Sequence, residues 1–219
     1  DLWQPCGFCC PEIARVNGRA SWLRYGVNHD LQILVIEPLF EEANRCRKLV
    51  TDTMRALDAL GIGSRLADLP GTGESLIDIA DVRIADWRAT IQGYAPALVA
   101  SFRGGALVDE AASVGVWRFA PETGIRVVRD LKRAALASSD STLYGGHALG
   151  DAFLAELEAA TPFPLTRLRT VRLDGDAGEA DAKVSGSPLW RRAEAGEDGE
   201  LAATLAADLA DWAKQCAGS

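Results

Sequence analysis

Residues 97–111, ALVASFRGGALVDEA, combine an apolar run, a pair of glycines and a helical pattern. The run ALVASF (97–102) is short and continuous, which is typical of a strand that is buried on both faces. The glycines after Arg103 permit a sharp turn, and the segment that follows, 104–113, predicts a helix. We therefore expect a strand, a tight turn and a helix, with Arg103 at the tip of the turn.

The same alternation of strand and helix extends in both directions from this stretch. Predicted strands are 31–38, the start of 62–75, 97–102, 114–119 and 165–173; predicted helices are 41–61, 81–94, 104–113, 123–139, 148–160 and 199–215; residues 174–183 are predicted to be a polar loop. Crossover helices between strands favour parallel pairing with both faces covered. The predicted fold class is α/β, with a doubly wound, mostly parallel sheet and helices on both faces.

The length of 219 residues suffices for one such domain with a full core. No internal repeat or long linker divides the chain. We expect a single domain over 1–219, in which 31–215 form the core and 1–30 form a leader with edge strands.

The formal net charge of −8 excludes nucleic acid and anionic membrane surfaces as general partners. Two basic clusters, RCRK (45–48) and RDLKR (129–133), lie in helical patterns and are predicted to be solvated helix faces. No apolar stretch approaches the ~18 residues that a membrane-spanning helix needs. Because the first residues do not resemble a signal peptide either, we expect a cytoplasmic protein.

The five cysteines are an odd number, which fits a reducing compartment better than a disulfide scaffold. Cys6, Cys9 and Cys10 form one cluster, but no second cysteine or histidine pair follows at the spacing of a zinc site. We therefore predict neither a metal site nor a cofactor.

The turn after the strand 97–102 aligns with the G-x-S-x-G elbow that presents the nucleophile in α/β hydrolases. Ser101 takes the first small position, Arg103 the nucleophile position and Gly105 the last. Arginine cannot act as a nucleophile. The acid of a triad would be expected at Asp174 or Asp176, after a later strand.

A histidine should follow that acid, but the chain has only two histidines. His29 precedes the first clear strand, and His147 precedes the expected acid. The sequence thus lacks both the nucleophile and the proton shuttle of a serine hydrolase.

Several motifs resemble a known family. They are EPLFEEANRCRK (37–48), DLPGTGES (68–75), SFRGGAL (101–107), VWRFAPETGIRVVRDLKR (116–133), YGGHALGDAFLAELE (144–158) and VSGSPLW (184–190). Over about residues 31–191 the chain resembles the second group of the α/β-hydrolase-like proteins associated with exosortase A systems. This resemblance implies an α/β-hydrolase fold, a bacterial setting of exopolysaccharide production, and an arginine at the elbow as a family trait.

The family pattern falls on named positions of this chain, with a few departures. Matching positions are Phe40, Glu41, Glu42, Asn44 and Arg47, then Asp68, Gly71, Gly73 and Ser75, then Arg103 and Gly105; the departures are Leu39, Ala43, Cys46, Glu74 and Ser101. The family name reflects a fold, so the resemblance supports the fold more strongly than it supports an enzymatic activity.

In open α/β sheets, ligands bind beyond the carboxyl ends of the strands. Candidate ligand-binding residues at these ends are Phe40, Glu41, Arg103, Gly104 and Asp174. Arg103, with the N–H groups of the first turn of the predicted helix, would suit a carboxylate, phosphate or sulfate. The alternative is that Arg103 only pairs with Glu41, Glu42 or Asp174.

Two functions remain open at this point. One is a protein without the Ser/His pair that binds an anionic small molecule or a partner, including a second copy of itself. The other is an ester or thioester hydrolase in which Ser101, Ser75 or Cys46 supplies a displaced nucleophile. We further expect Ser75 or Asp78 to cap a tight turn, Trp87, Trp117 and Trp190 to line the core or a pocket, and His147 to belong to a loop or cap.

Overall fold

The computed structural model describes residues 12–16, 20–67, 69–73, 75–138 and 140–218, with side chains from residue 23 onward except at 67. The strands are β1 Glu12–Val16, β2 Ala20–Tyr25, β3 Gln32–Ile36, β4 Gly63–Ala67, β5 Leu98–Phe102, β6 Gly115–Phe119, β7 Leu168–Leu173 and β8 Ala182–Val184. The helices are α1 Glu41–Ala59, α2 Ile84–Gly93, α3 Gly124–Ala137, α4 Asp151–Ala159 and α5 Gly199–Ala217. Short 3-10 helices cover Ile79–Asp81, Arg103–Leu107 and Leu189–Arg191.

The described strands form one sheet in the order β1-β2-β4-β3-β5-β6-β7-β8. The pairs β1–β2 and β2–β4 are antiparallel, and every other pair is parallel. The doubly wound, mostly parallel sheet expected from the alternation of elements is therefore confirmed.

The sheet is covered on both faces, which explains the continuous apolar runs of its central strands. Along β5, Leu98, Ala100 and Phe102 pack in the core cluster that contains α1 and α5. Val99 points to the other face and packs in the cluster that contains α2, α3 and α4. All five residues of β5 are buried.

The helix predicted over 104–113 is wrong. Only the five-residue 3-10 helix Arg103–Leu107 forms, and the chain then turns back toward β6. Two glycines weaken an α-helix at its start. In addition, the side chain of Asp109 is fully buried in an ion pair with Arg118 of β6, which ties the segment to the sheet.

The polar loop predicted over 174–183 is wrong at its end, because β8 begins at Ala182. This strand has three residues, is only partly buried and pairs with β7 alone, so no long apolar run marks it in the sequence. The other predicted elements are present with shifts of a few residues at their ends.

Candidate functional site

A sharp turn at the carboxyl end of β5 has the backbone geometry of a nucleophile elbow. Arg103 has a φ of 53°, in the left-handed region that side-chain-bearing residues rarely adopt. Gly105 lies so close to β3 that an added Cβ would be 2.7 Å from the carbonyl oxygen of Glu37. The glycine in the last small position is thus required by the approach of two backbones.

Three strand ends around the elbow share this strained backbone. Among the described residues, four that are not glycine have positive φ: Phe40, Ala95, Arg103 and Ala120. Phe40 follows β3, Arg103 follows β5 and Ala120 follows β6, which are adjacent strands. Such strain costs of order 1–3 kcal/mol per residue and is concentrated at functional sites. It identifies this edge of the sheet as the candidate site.

The Arg103 guanidinium is enclosed by carboxylates and an aromatic ring. Its Nε and Nη2 donate to the two carboxylate oxygens of Glu42, at 3.2 and 3.0 Å. Nη2 also lies 3.3 Å from Oε2 of Glu122, and Nη1 donates to the carbonyl of Ala120 at 3.1 Å. The side chain is 8% exposed. Of the alternatives considered for pairing, Glu42 is therefore the partner, and Glu122 was not foreseen.

Trp190 lies over the face of the same guanidinium, with Cζ of Arg103 4.3 Å from the ring centroid. This is a cation–π contact in a buried position. Trp190 is part of the segment that follows the last strand, where the triad order places the histidine. We name Arg103, Glu42, Glu122 and Trp190 the elbow cluster.

Neither histidine of the chain contacts the elbow cluster. His147 is near Phe40, with ring centroids 5.6 Å apart. Burial lowers its pKa, and the charge of Glu41 only partly opposes that shift. Nε2 of His29 lies 2.8 Å from a carboxylate oxygen of Asp58, beside the start of β3 and thus at the opposite edge of the sheet.

The displaced nucleophile considered at Ser101 is fully buried. Its hydroxyl donates to Oδ2 of Asp109 at 2.7 Å. The same carboxylate accepts two hydrogen bonds from Arg118, whose Nη2 also donates to the carbonyl of Phe163. Ser101 is thus part of a closed ion-pair network.

The other two displaced nucleophiles are also held in structural roles. Ser75 Oγ accepts hydrogen bonds from the backbone N–H of Gly71 and of Ile77, so Ser75 stabilises a tight turn as expected. Cys46 is buried, and burial is the main cause that raises the pKa of its thiol to about 12. A thiol with that pKa is not ionised at neutral pH.

A cavity of about 580 Å³ opens above the elbow, between α1, α3 and the 3-10 helix Leu189–Arg191. Its lining contains apolar, acidic and basic side chains: Leu39, Phe40, Glu41, Glu42, Arg45, Arg103, Gly104, Glu122, Arg126, Val127, Arg129, Asp130, Leu131, Arg133, Ala134, Ala137, Trp190 and Arg191. The volume is in the range of small-molecule sites.

Four of the five predicted ligand-binding residues line this cavity: Phe40, Glu41, Arg103 and Gly104. Asp174 does not. Its carboxylate accepts from the Ser185 hydroxyl at 2.7 Å, because the chain after β7 turns toward β8. The helix N–H groups expected beside Arg103 belong instead to the 3-10 helix, which corrects that part of the prediction.

Asp176, the other candidate acid, is paired with Arg172 at 2.7 Å. Burial alone would raise the pKa of this carboxyl. Hydrogen bonds from the N–H of Gly178 and from Arg172 outweigh burial, and with the charges of Arg172 and Arg103 they lower the pKa. Asp176 is therefore ionised, as the acid of a triad would be, but neither histidine of the chain is paired with it.

Sequence reasoning missed the contribution of α3 to the cavity. Residues 129–133 were interpreted only as a solvated helix face, yet Arg129, Asp130, Leu131 and Arg133 all line the cavity. A basic cluster on the helix that follows β6, next to the predicted ligand edge, was the available signal. Cys6, Cys9, Cys10, Asp68 and Glu74 lie outside the described residues.

Within the described ranges, no group of three or more His, Cys, Asp and Glu side chains is placed to bind a metal ion. The helices in that part of the chain were searched for a membrane span, and none is both long and apolar enough.

Comparison with known proteins identifies the fold. No family model matches the chain, and no curated protein matches it. Solved structures do match. Est1E from Butyrivibrio proteoclasticus aligns at 10% identity and a TM-score of 0.62, with 95% of this chain and 99% of that chain covered. Alpha/beta hydrolase domain-containing protein 10 from mouse aligns at 12% identity and a TM-score of 0.61, with 94% of this chain and 99% of that chain covered.

The esterase domain from a Rhodothermus marinus protein aligns at 18% identity and a TM-score of 0.58, with 89% of this chain and 92% of that chain covered. At such identities the likeness shows the fold alone. The chain has an α/β-hydrolase fold, as the elbow and the motifs predicted.

Proposed function

We propose that this α/β-hydrolase fold binds an anionic small molecule in the cavity above its elbow and does not hydrolyse it. The observation that carries the proposal is the elbow itself, which holds Arg103 in place of a nucleophile at the base of a cavity lined by six arginines and four carboxylates. A guanidinium stays protonated and cannot attack a carbonyl carbon. The elbow geometry therefore supports a binding surface and not a nucleophile.

The cavity wall supports this proposal. Gly104 and Phe40 occupy the positions that donate oxyanion-hole N–H groups in α/β hydrolases, and both line the cavity. Backbone donors at such positions favour a negatively charged oxygen whether or not it arises during a reaction. Together with Glu41 and Arg103, these residues are proposed to form the floor of the ligand cavity at its elbow end.

A displaced-nucleophile hydrolase has less support. Ser101 donates to a buried carboxylate, Ser75 accepts from two backbone N–H groups in a turn, and the Cys46 thiol is not ionised. Each would have to leave its present contacts or lose a proton before it could attack an ester.

An esterase screen tests the proposal. Wild type, Arg103→Ala and Ser101→Ala are assayed with p-nitrophenyl acetate, p-nitrophenyl butyrate and an acyl thioester, and with a fluorophosphonate label. We expect no turnover above buffer and no labelling in any of the three. Turnover that is abolished by Ser101→Ala and retained by Arg103→Ala would overturn the proposal, and Ser75→Ala and Cys46→Ala extend the test.

Binding is measured separately by thermal denaturation with a panel of anions. A ligand that binds only the folded state raises the melting temperature with its concentration. The exosortase-associated setting, a cytoplasmic location and a protein partner or homo-oligomer stay predictions that rest on the sequence motifs and composition.

A further inference from the structure

The charges that line the cavity are unevenly distributed. At the elbow end, Arg103 pairs with the carboxylates of Glu42 and Glu122, and Nε of Arg126 lies 3.6 Å from Oε1 of Glu122. These four groups balance one another. An incoming anion would have to displace a carboxylate to reach Arg103, so the elbow end is not the strongest place for its charge.

The pair at the start of α1 is also balanced. Nη2 of Arg45 lies 2.7 Å from Oε2 of Glu41, and its Nη1 donates to the carbonyl of Trp190. Both residues line the cavity, and Arg45 also ties the 3-10 helix Leu189–Arg191 to α1.

The excess positive charge lies along α3 and at Arg191. Arg129 and Arg133 share one carboxylate, that of Asp130, at 3.3 and 3.5 Å. Arg191 is exposed and also lines the cavity. In a chain with a net charge of −8, these three arginines with Asp130 are a local positive region.

An apolar stripe runs beside these arginines. Val127, Leu131 and Ala134 recur at helical spacing on α3 and line the cavity. Arg129 and Arg133, which are 60% and 71% exposed, lie on the solvent side of the same helix. The lining of α3 extends from Arg126 to Ala137, about 17 Å at 1.5 Å per residue. The cavity is therefore an elongated groove with an apolar wall and a basic edge.

We propose that the ligand is an amphipathic anion whose carboxylate or phosphate head pairs with Arg129, Arg133 and Arg191 and whose apolar chain lies along Val127, Leu131 and Ala134. This inference rests on the proposed function, because it names the ligand class of the same cavity. Arg103 then forms the floor of the groove and is not the counter-ion of the head group.

Calorimetric titration of the full chain with five probes tests the ligand class. The probes are decanoate, decyl phosphate, decanol, acetate and inorganic phosphate. We expect decanoate and decyl phosphate to bind at least tenfold more tightly than decanol and than the two short anions, and their comparison shows which head group is preferred. Higher salt should weaken both.

Variants test the placement of the head group. Arg129→Gln/Arg133→Gln should lower decanoate affinity about tenfold, because a charge-assisted pair is lost. The matched control is Lys48→Gln/Arg55→Gln: these two cations of α1 also share one carboxylate, that of Asp52, but do not line the cavity. This control should change the affinity less than twofold.

Ala134→Phe fills the groove and should lower decanoate affinity without lowering acetate or phosphate affinity. Decanoate binding that is indifferent to Arg129→Gln/Arg133→Gln would overturn the head-group placement. Short anions that bind as well as decanoate would overturn the amphipathic class and leave the proposed function standing. If none of the anions binds, both proposals fail.

Discussion

Two buried arginines at the carboxyl half of the sheet differ in what surrounds them. Arg118 on β6 is 4% exposed and pairs with Asp109, which is fully buried, while Ser101 and the carbonyl of Phe163 complete the network. Arg103 is 8% exposed, but its partners Glu42 and Glu122 are 23% and 13% exposed and border the cavity.

The difference separates a structural ion pair from the candidate site. Asp109 and Ser101, the side chains that surround Arg118, are fully buried, so a ligand cannot reach them. Arg103 has a strained backbone, and its partners Glu42 and Glu122 line the open cavity. Burial of a charged side chain therefore does not distinguish the two, whereas the exposure of its partners does.

The largest expected effect is on the closed network. Asp109→Ala leaves Arg118 buried without a counter-ion and should lower the free energy of unfolding by about 3–5 kcal/mol, measured by urea denaturation. Asp130→Ala, at a carboxylate that is 48% exposed, is the control and should cost less than about 1 kcal/mol. Equal losses would mean that the Arg118 network is open to solvent.

Arg103→Ala should lower the free energy of unfolding by a smaller amount, about 2 kcal/mol, in the same assay. The lost hydrogen bonds are charge-assisted, but Glu42 and Glu122 can be hydrated from the cavity once the guanidinium is gone. A loss as large as that of Asp109→Ala would contradict the contrast between the two arginines.

Arg103→Gly isolates the backbone strain from the side-chain contacts. At a φ of 53° glycine avoids the clash of Cβ, so Arg103→Gly should be about 1 kcal/mol more stable than Arg103→Ala. The control is Arg118→Gly against Arg118→Ala, within a strand, where glycine should be the less stable of the two. If glycine also destabilised position 103, the turn would not be strained.

The smallest effect concerns pH. The pKa of His147, which lies beside the cavity, is lowered by burial, so the unfolded chain binds more protons than the folded chain near pH 6. The stability due to neutral His147 is complete above the unfolded pKa and should decrease as the pH falls below about 6.5. Urea denaturation of wild type and His147→Gln at pH 8 and pH 5 should show a loss that is larger in wild type.

A chemical-shift titration of His147 supplies the second readout. A midpoint at or above that of an unstructured histidine peptide would contradict the lowered pKa.

Local sequence pattern predicted the central fold, since strands such as β3 and β5 are unbroken apolar runs and α1 and α5 repeat apolar residues at helical spacing. It failed at 104–113, where a contact between Asp109 and Arg118 overrides local propensity. Such a contact between two segments leaves no periodic signal. For β8, the strand is too short and too polar to be recognised.

For the candidate site, the spacing of the glycines in the sequence predicted Arg103 at the tip of the elbow. The pairing with Glu42 was among the alternatives, because both follow strands that end at one edge. Glu122 and Trp190 could not be assigned, since the sequence does not say which loops return toward the elbow. Which face of α3 lines the cavity depends on how the helix is oriented. Only the packing of α3 against the sheet determines that orientation.

The short connection between β5 and β6 also bears on how the chain folds. Residues 103–114 are all that separate these two parallel strands, so closing this loop costs little chain entropy. Contacts at low sequence separation form early, and β5–β6 is therefore well placed to pair before strands that are far apart in the sequence, such as β2 and β4. The candidate site would then be assembled on the turn at Arg103, to which α1 docks later through Glu42.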